Sequence, residues 1–131
     1  MRERGETMDN VESINRLVIE LETDEELSFM KENSGVSAED TSKIIESLTR
    51  RANLFNNSGI FIPYEEWKEI FLQVAEVVTY TNYSEDGAEI EKPENLIPST
   101  VNETILNLTS VEIPEDIFNE LEDEKSTGMH R

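Results

Sequence analysis

Residues 64–78 read Tyr64-Glu65-Glu66-Trp67-Lys68-Glu69-Ile70-Phe71-Leu72-Gln73-Val74-Ala75-Glu76-Val77-Val78, and their spacing decides the fold class. At roughly 100° per residue, Trp67, Ile70, Phe71, Val74, Val77 and Val78 fall within an arc of about 120°, the apolar stripe of a helix packed on a core. A half-buried strand would instead alternate apolar and polar residues. Glu65, Glu69 and Glu76 lie opposite that stripe with Leu72 among them. One stripe this wide needs other helices to cover it, so a helical bundle is expected.

The flanking sequence supplies those helices. Toward the N-terminus, Ile60-Phe61-Ile62 precedes Pro63, which pushes the residue before it into an extended conformation. Asn56-Asn57-Ser58-Gly59 ends an earlier helix in which Ile44, Ile45, Leu48, Ala52 and Phe55 share a face, and Ser37 with Asp40 marks its start. Thr23 with Glu26 matches a capping box for a short helix that Gly35 can terminate. Before it, Asp9 can cap a helix over 9–22 carrying Val11, Ile14, Leu17, Val18 and Leu21 on one third of its circumference.

Toward the C-terminus, Val77-Val78-Thr79-Tyr80-Thr81 is rich in strand formers. With the turn Ser84-Glu85-Asp86-Gly87 it offers a short β-hairpin near 77–91 as the alternative to a longer helix. Pro93 and Pro98 bracket a linker, after which Ser99 can cap a helix with Val101, Ile105 and Leu108 inward. Pro114 suits the first turn of a last helix that buries Ile117, Phe118 and Leu121. The expected fold is mainly α: a small bundle of about five helices forming one acidic domain over residues 9–123, with residues 1–8 and 124–131 as mobile tails.

A chain of 131 residues suffices for one core. Leu, Ile, Val and Phe number 35, about 27% of the chain and above the ~20% typical of disorder. Cysteine is absent, which excludes disulfides, thiolate zinc and a cysteine nucleophile. No apolar run approaches the ~18 residues of a membrane span, and no secretory leader is visible, so a soluble, cytoplasmic protein is expected.

Charge dominates the composition. Thirty acidic residues against 11 basic give −19, a field that repels nucleic acid and anionic membrane and attracts basic surfaces. It is unevenly spread, since residues 35–59 are neutral while residues 85–131 carry −10. Glutamate outnumbers aspartate 24 to 6, unlike the usual salt-adapted composition.

Most catalytic chemistry lacks its residues. His130, beside the C-terminus, is the single histidine, so no histidine base, triad or HExxH zinc site can be assembled. The five glycines are isolated, which leaves no phosphate-cradling loop. Asn82, Ser84, Asp86 and Gly87 imitate half of an EF-hand loop, but Pro93 stands where its bidentate glutamate belongs, so a plain turn is expected. Sequons begin at Asn56, Asn82, Asn102 and Asn107, where chance alone gives about two in so asparagine-rich a chain, and without a secretory leader glycosylation is not expected.

Glu65-Glu66-Trp67-Lys68-Glu69 has the spacing EExxE on a helix. This resembles half of the magnesium site of the all-helical MazG-type nucleotide pyrophosphatases, in which ExxD on a later helix completes the site. That resemblance implies magnesium and a nucleoside triphosphate substrate. The nearest second half, Glu91-Lys92-Pro93-Glu94, departs from the pattern by ending in glutamate and by containing proline. A solvated helix face supplies the same spacing, and metal catalysis needs the full ligand set, so no catalytic, cofactor or metal residues are assigned.

Two surfaces remain as candidates for binding a partner. On the 64–78 helix, Leu72 ringed by Glu65, Glu69 and Glu76 has the form of an apolar anchor with steering charges. On the last helix, Glu115, Asp116, Glu120, Glu122, Asp123 and Glu124 supply acidic charge, and the last four crowd a C-terminal turn where the helix dipole disfavours it. The composition is similar to that of phage-borne DNA mimics, antirestriction and anti-CRISPR proteins and toxin-neutralising immunity proteins as loose groups. The expected function is therefore an acidic inhibitor of a protein with a basic, nucleic-acid-binding surface, which itself binds neither nucleic acid nor membrane. The alternative is an adaptor or regulatory subunit gripping its partner through apolar contacts.

Overall fold

The computed structural model describes residues 9–82 and 93–118. Five helices follow one another: α1 (Asn10–Thr23), α2 (Glu25–Ser34), α3 (Ala38–Ser58), α4 (Tyr64–Asn82) and α5 (Pro93–Leu108), then a 3₁₀ turn at Glu115–Phe118. No strand occurs among the described residues.

Short-range chemistry sets the helix ends. Asp9 accepts from the Glu12 N–H while the Glu12 carboxylate accepts from the Asp9 N–H, a reciprocal capping box that starts α1. Asp24, not Thr23, starts α2, accepting from the Leu27 N–H. Thr23 still belongs to α1 and turns its hydroxyl back to the Ile19 carbonyl. Ser37 caps α3 through the Asp40 N–H, as its spacing predicts. Gly35 and Gly59 end α2 and α3 in the left-handed region, at φ 80° and 76°. At Gly35 the need for glycine is doubled, because an added Cβ would lie 3.3 Å from the Thr79 methyl group of α4.

Helix α4 lies at the centre and contacts α1, α2, α3 and α5. Its stripe is buried as the periodicity requires: Trp67, Ile70, Phe71, Val74, Ala75 and Val78 have no exposed surface. Val77, expected within the stripe, is half-buried at its edge. Ile14, Leu17 and Leu21 of α1, Leu27 of α2, Ile44, Leu48, Ala52 and Phe55 of α3, and Ile97, Val101 and Ile105 of α5 close over it in one contiguous core. Val18 and Leu108, expected inside, lie at its margin and are more than a third exposed.

Two expectations at the C-terminal side of α4 need correction. Residues 77–82 continue the helix, so the first arm of the hairpin does not form; its turn and second arm lie outside the described residues. Val78 packs fully into the core there, and tertiary burial overrides a strand preference worth only about 1 kcal/mol. Pro93 and Pro98 do not bracket a linker either. Pro93 opens α5, where the missing N–H has no helical partner to lose, and Pro98 sits inside the helix. Buried Ile97 and Val101 hold both sides of Pro98, and its carbonyl accepts from the Arg51 guanidinium at 3.5 Å. Arg51, 4% exposed, also donates to Asn102 Oδ1, Ser47 Oγ and the Ser47 carbonyl, tying α3 to α5.

The last helix is replaced over its described part by the 3₁₀ turn. Ile117 and Phe118 face inward as expected, and the Phe118 ring packs 6.1 Å from that of Phe55. Leu121 lies outside the described residues. So do the expected tails, 1–8 and 124–131.

Candidate functional site

Helix α2 is only ten residues long and sends a single side chain, Leu27, into the core. Its inward face runs Leu27, Met30, Lys31, Ser34 at helical spacing. Past Leu27 this face no longer carries a large branched apolar residue, so α2, although it contacts α4, leaves space beside it. The result is an open groove of about 390 Å³ lined by Met30, Asn33 and Ser34 of α2, Glu69, Leu72, Gln73 and Glu76 of α4, and Leu108 at the end of α5.

Met30 and Leu108 are each 37% exposed. Leu72 is half-buried, with its inner side packed on the core. These three make an aliphatic lining, and Glu69 and Glu76 stand exposed beside Leu72, one turn before it and one after. Three of the four α4 residues singled out by sequence thus line one groove. Met30, Asn33, Ser34, Gln73 and Leu108 were not foreseen, because groove membership depends on how α2 and α5 pack and leaves no local mark in the sequence.

The fourth residue, Glu65, is elsewhere. Its carboxylate is 75% exposed and pairs with Lys68 at 3.5 Å. Beside that pair, the Tyr64 hydroxyl donates to Glu20 Oε1 at 2.6 Å, and the Arg16 guanidinium lies 4.2 Å from the centre of the Tyr64 ring. Bonds from Tyr64 and then from Arg16 hold the Glu20 carboxyl below the usual carboxylate range, while burial and that same bond push the phenol up.

Glu66 has a structural task. It accepts from the hydroxyls of Thr109 and Ser110 at 2.7 and 2.8 Å and from the Ser110 N–H at 3.2 Å, fastening the chain beyond α5 to the start of α4. Burial alone would raise its pKa, but these three donors outweigh it and the net shift is downward. The stabilisation they give is complete above the unfolded carboxylate's pKa of about 4.3 and fades as pH falls through the lower folded value. Glu66→Gln should therefore lower stability by about 0.5–1.5 kcal/mol at neutral pH, and the gap to wild type should narrow on acidification. Urea unfolding of both proteins at about pH 6 and pH 3 checks this, and a gap that stays constant would show the carboxylate charge to be irrelevant.

The carboxylates of the EExxE segment therefore turn to three different surroundings: Glu65 to Lys68, Glu66 to Thr109 and Ser110, and Glu69 to the groove. Among the described residues no three His, Cys, Asp or Glu side chains are grouped to hold a metal ion. The second half of the MazG-like pattern begins at Glu91, outside the described residues. On the C-terminal candidate surface, Asp116 is exposed, the side chain of Glu115 is not described, and Glu120, Glu122, Asp123 and Glu124 lie outside the described residues. Asn56 and Asn102, two of the sequon asparagines, are engaged inside the fold as acceptors from Asn10 and Arg51.

No helix among the described residues is long and apolar enough to cross a membrane. No protein-family model matches the chain, and neither does any curated protein or solved structure.

Proposed function

We propose that this chain is an acidic binding protein, without catalysis or cofactor of its own, that inhibits or neutralises a protein with a basic surface. That surface is one built to hold nucleic acid. A duplex presents about one negative charge per ~1.7 Å of axis, so a protein that grips it accepts a fixed array of anions, and a phage-type DNA mimic exploits this. The observation that carries the reading is the convergence of Glu69, Glu76 and Leu72 on one open groove in a chain of net charge −19. Because α4 is itself locked into the core, the backbone that carries these carboxylates is fixed before binding, so less conformational freedom is lost on association than from a free tail.

A second reading has its own support. The aliphatic lining from Met30, Leu72 and Leu108 favours an adaptor that grips its partner through apolar contacts, with the acidity serving solubility.

Salt separates the two. The partner is captured from the native host with the full chain as bait, and its association rate is then measured at low and at moderate ionic strength. A charge-driven inhibitor should lose on the order of tenfold or more in association rate across that range. The variant with Glu115, Asp116, Glu120, Glu122, Asp123 and Glu124 changed to amides should associate more slowly at low salt. Rates insensitive to both salt and substitution would transfer the conclusion to the adaptor.

A further inference from the structure

We propose that the groove between α2 and α4 is the seat of one amphipathic α-helix from the partner, with aliphatic side chains on its buried face and lysine or arginine along its flanks. This rests on the basic-partner reading above and adds the occupant and its geometry. The common ways of holding a peptide segment leave different marks on a protein surface. Adding a strand needs an exposed sheet edge, and no strand exists among the described residues. Proline-rich segments dock against aromatic rings, and phosphorylated or acidic segments against arginine clusters. The lining residues of this groove include no aromatic residue, no lysine and no arginine.

What the groove does offer matches a helix. Its two long walls are themselves helices, and a third helix laid between them repeats the packing that builds the rest of the bundle. Met30, Leu72 and Leu108 present aliphatic surface to anchors spaced i, i+3 or i+4 and i+7 on such a ligand. Met30 has an unbranched, adaptable side chain and can repack around anchors of different shape. Glu69 and Glu76 lie two turns apart on α4, so cations two turns apart on the ligand would face them in register. A helix with acidic flanks would meet like charge at both places, which gives the groove its selectivity.

The probe is a synthetic peptide of about 15–18 leucine and lysine residues, patterned as an amphipathic helix and carrying a fluorophore. Its affinity for the full protein is read by anisotropy, alongside a peptide in which glutamate replaces every lysine. The lysine peptide should bind and the glutamate peptide should not. Glu69→Gln with Glu76→Gln should weaken binding about five- to tenfold at low salt. Met30→Ser with Leu108→Ser, which alters only partly exposed groove positions, should weaken it at least as much.

The control is Glu39→Gln with Glu46→Gln on α3, which removes the same charge from carboxylates that are 78% and 66% exposed and outside the groove lining. It should change affinity less than twofold. Equal losses in the rim variant and the control would overturn the groove as the seat while leaving a basic partner standing. Equal binding of the two peptides, or none by the lysine peptide, would overturn the occupant itself. In the first of these cases the charge-driven function falls with it. Melting curves of each variant confirm that it is folded when affinity is read.

Discussion

Trp67→Ala is expected to unfold the protein or to lower its melting temperature by about 10–30 °C, the shift that ~3–5 kcal/mol produces in a chain of this size. Trp67 has no exposed surface, its ring stacks on Phe55 at 6.2 Å between centroids, and its indole N–H donates to Asn10 Oδ1 at 3.3 Å. Truncation opens a cavity at the junction of α1, α3 and α4 and strips the lining atoms of their contacts. Total stability of such domains is only about 5–15 kcal/mol, so one such loss is a large part of it. Trp67→Phe keeps most of the packing and removes the donor, and should cost less than half as much. Thermal or urea unfolding measures both. An unchanged midpoint for Trp67→Ala would contradict the placement of this side chain in the core.

Asn10→Ala should come close to that effect, although it removes few atoms. Asn10 is fully buried at the first position of α1, and each of its side-chain polar atoms is used twice. Its Nδ2 donates to Asn56 Oδ1 at 2.9 Å and to the Ile60 carbonyl at 2.7 Å. Its Oδ1 accepts from the Ile62 N–H at 2.9 Å and from Trp67. One amide thus joins the start of α1, the end of α3, the non-helical 60–62 segment and α4. Removing it leaves a partly buried carbonyl and a buried backbone N–H and indole N–H short of a partner at roughly 1–3 kcal/mol each, so a loss of about 3–5 kcal/mol follows after partial relaxation. Asn10→Asp should be no milder, because a carboxylate cannot donate to the two oxygens and its charge would be buried. The Asn10→Ala and Trp67→Ala losses should fall short of additive when combined, since both delete the same bond. A destabilisation below about 1 kcal/mol for Asn10→Ala would mean that water readily replaces the amide and that the junction is not closed.

One wall of the candidate site was readable in the sequence for the same reason that the helices were. Placing Glu69, Leu72 and Glu76 on one side of α4 requires only the helical period and the position of the buried stripe. Glu66, to which the sequence assigns no role, shows the limit of that reasoning. It follows Glu65 directly in the chain, yet what separates their roles is the arrival of Thr109 and Ser110, residues more than 40 positions away. No pattern around residue 66 reports that encounter. Leu108 shows the reverse error, since periodicity marks it as inward but it ends up on the open groove, more than a third exposed.

The sequence by itself determined the helical class, the order of the helices, the buried stripe of α4 and most of the chain stops. Each of these rests on interactions within one or two turns: an apolar period, Asp9 and Ser37 reaching an N–H three residues on, Gly35 and Gly59 taking a left-handed conformation. Tertiary structure alone decided that 77–82 remains helical, that α5 runs through Pro98, that Asn10 joins four segments, and that an acidic-rimmed groove stays open beside α2. The physical reason is distance along the chain. These outcomes depend on burial and hydrogen bonds between residues such as Asn10 and Trp67, 57 positions apart, whose energies outweigh local preferences of about 1 kcal/mol and are felt only once the helices have packed.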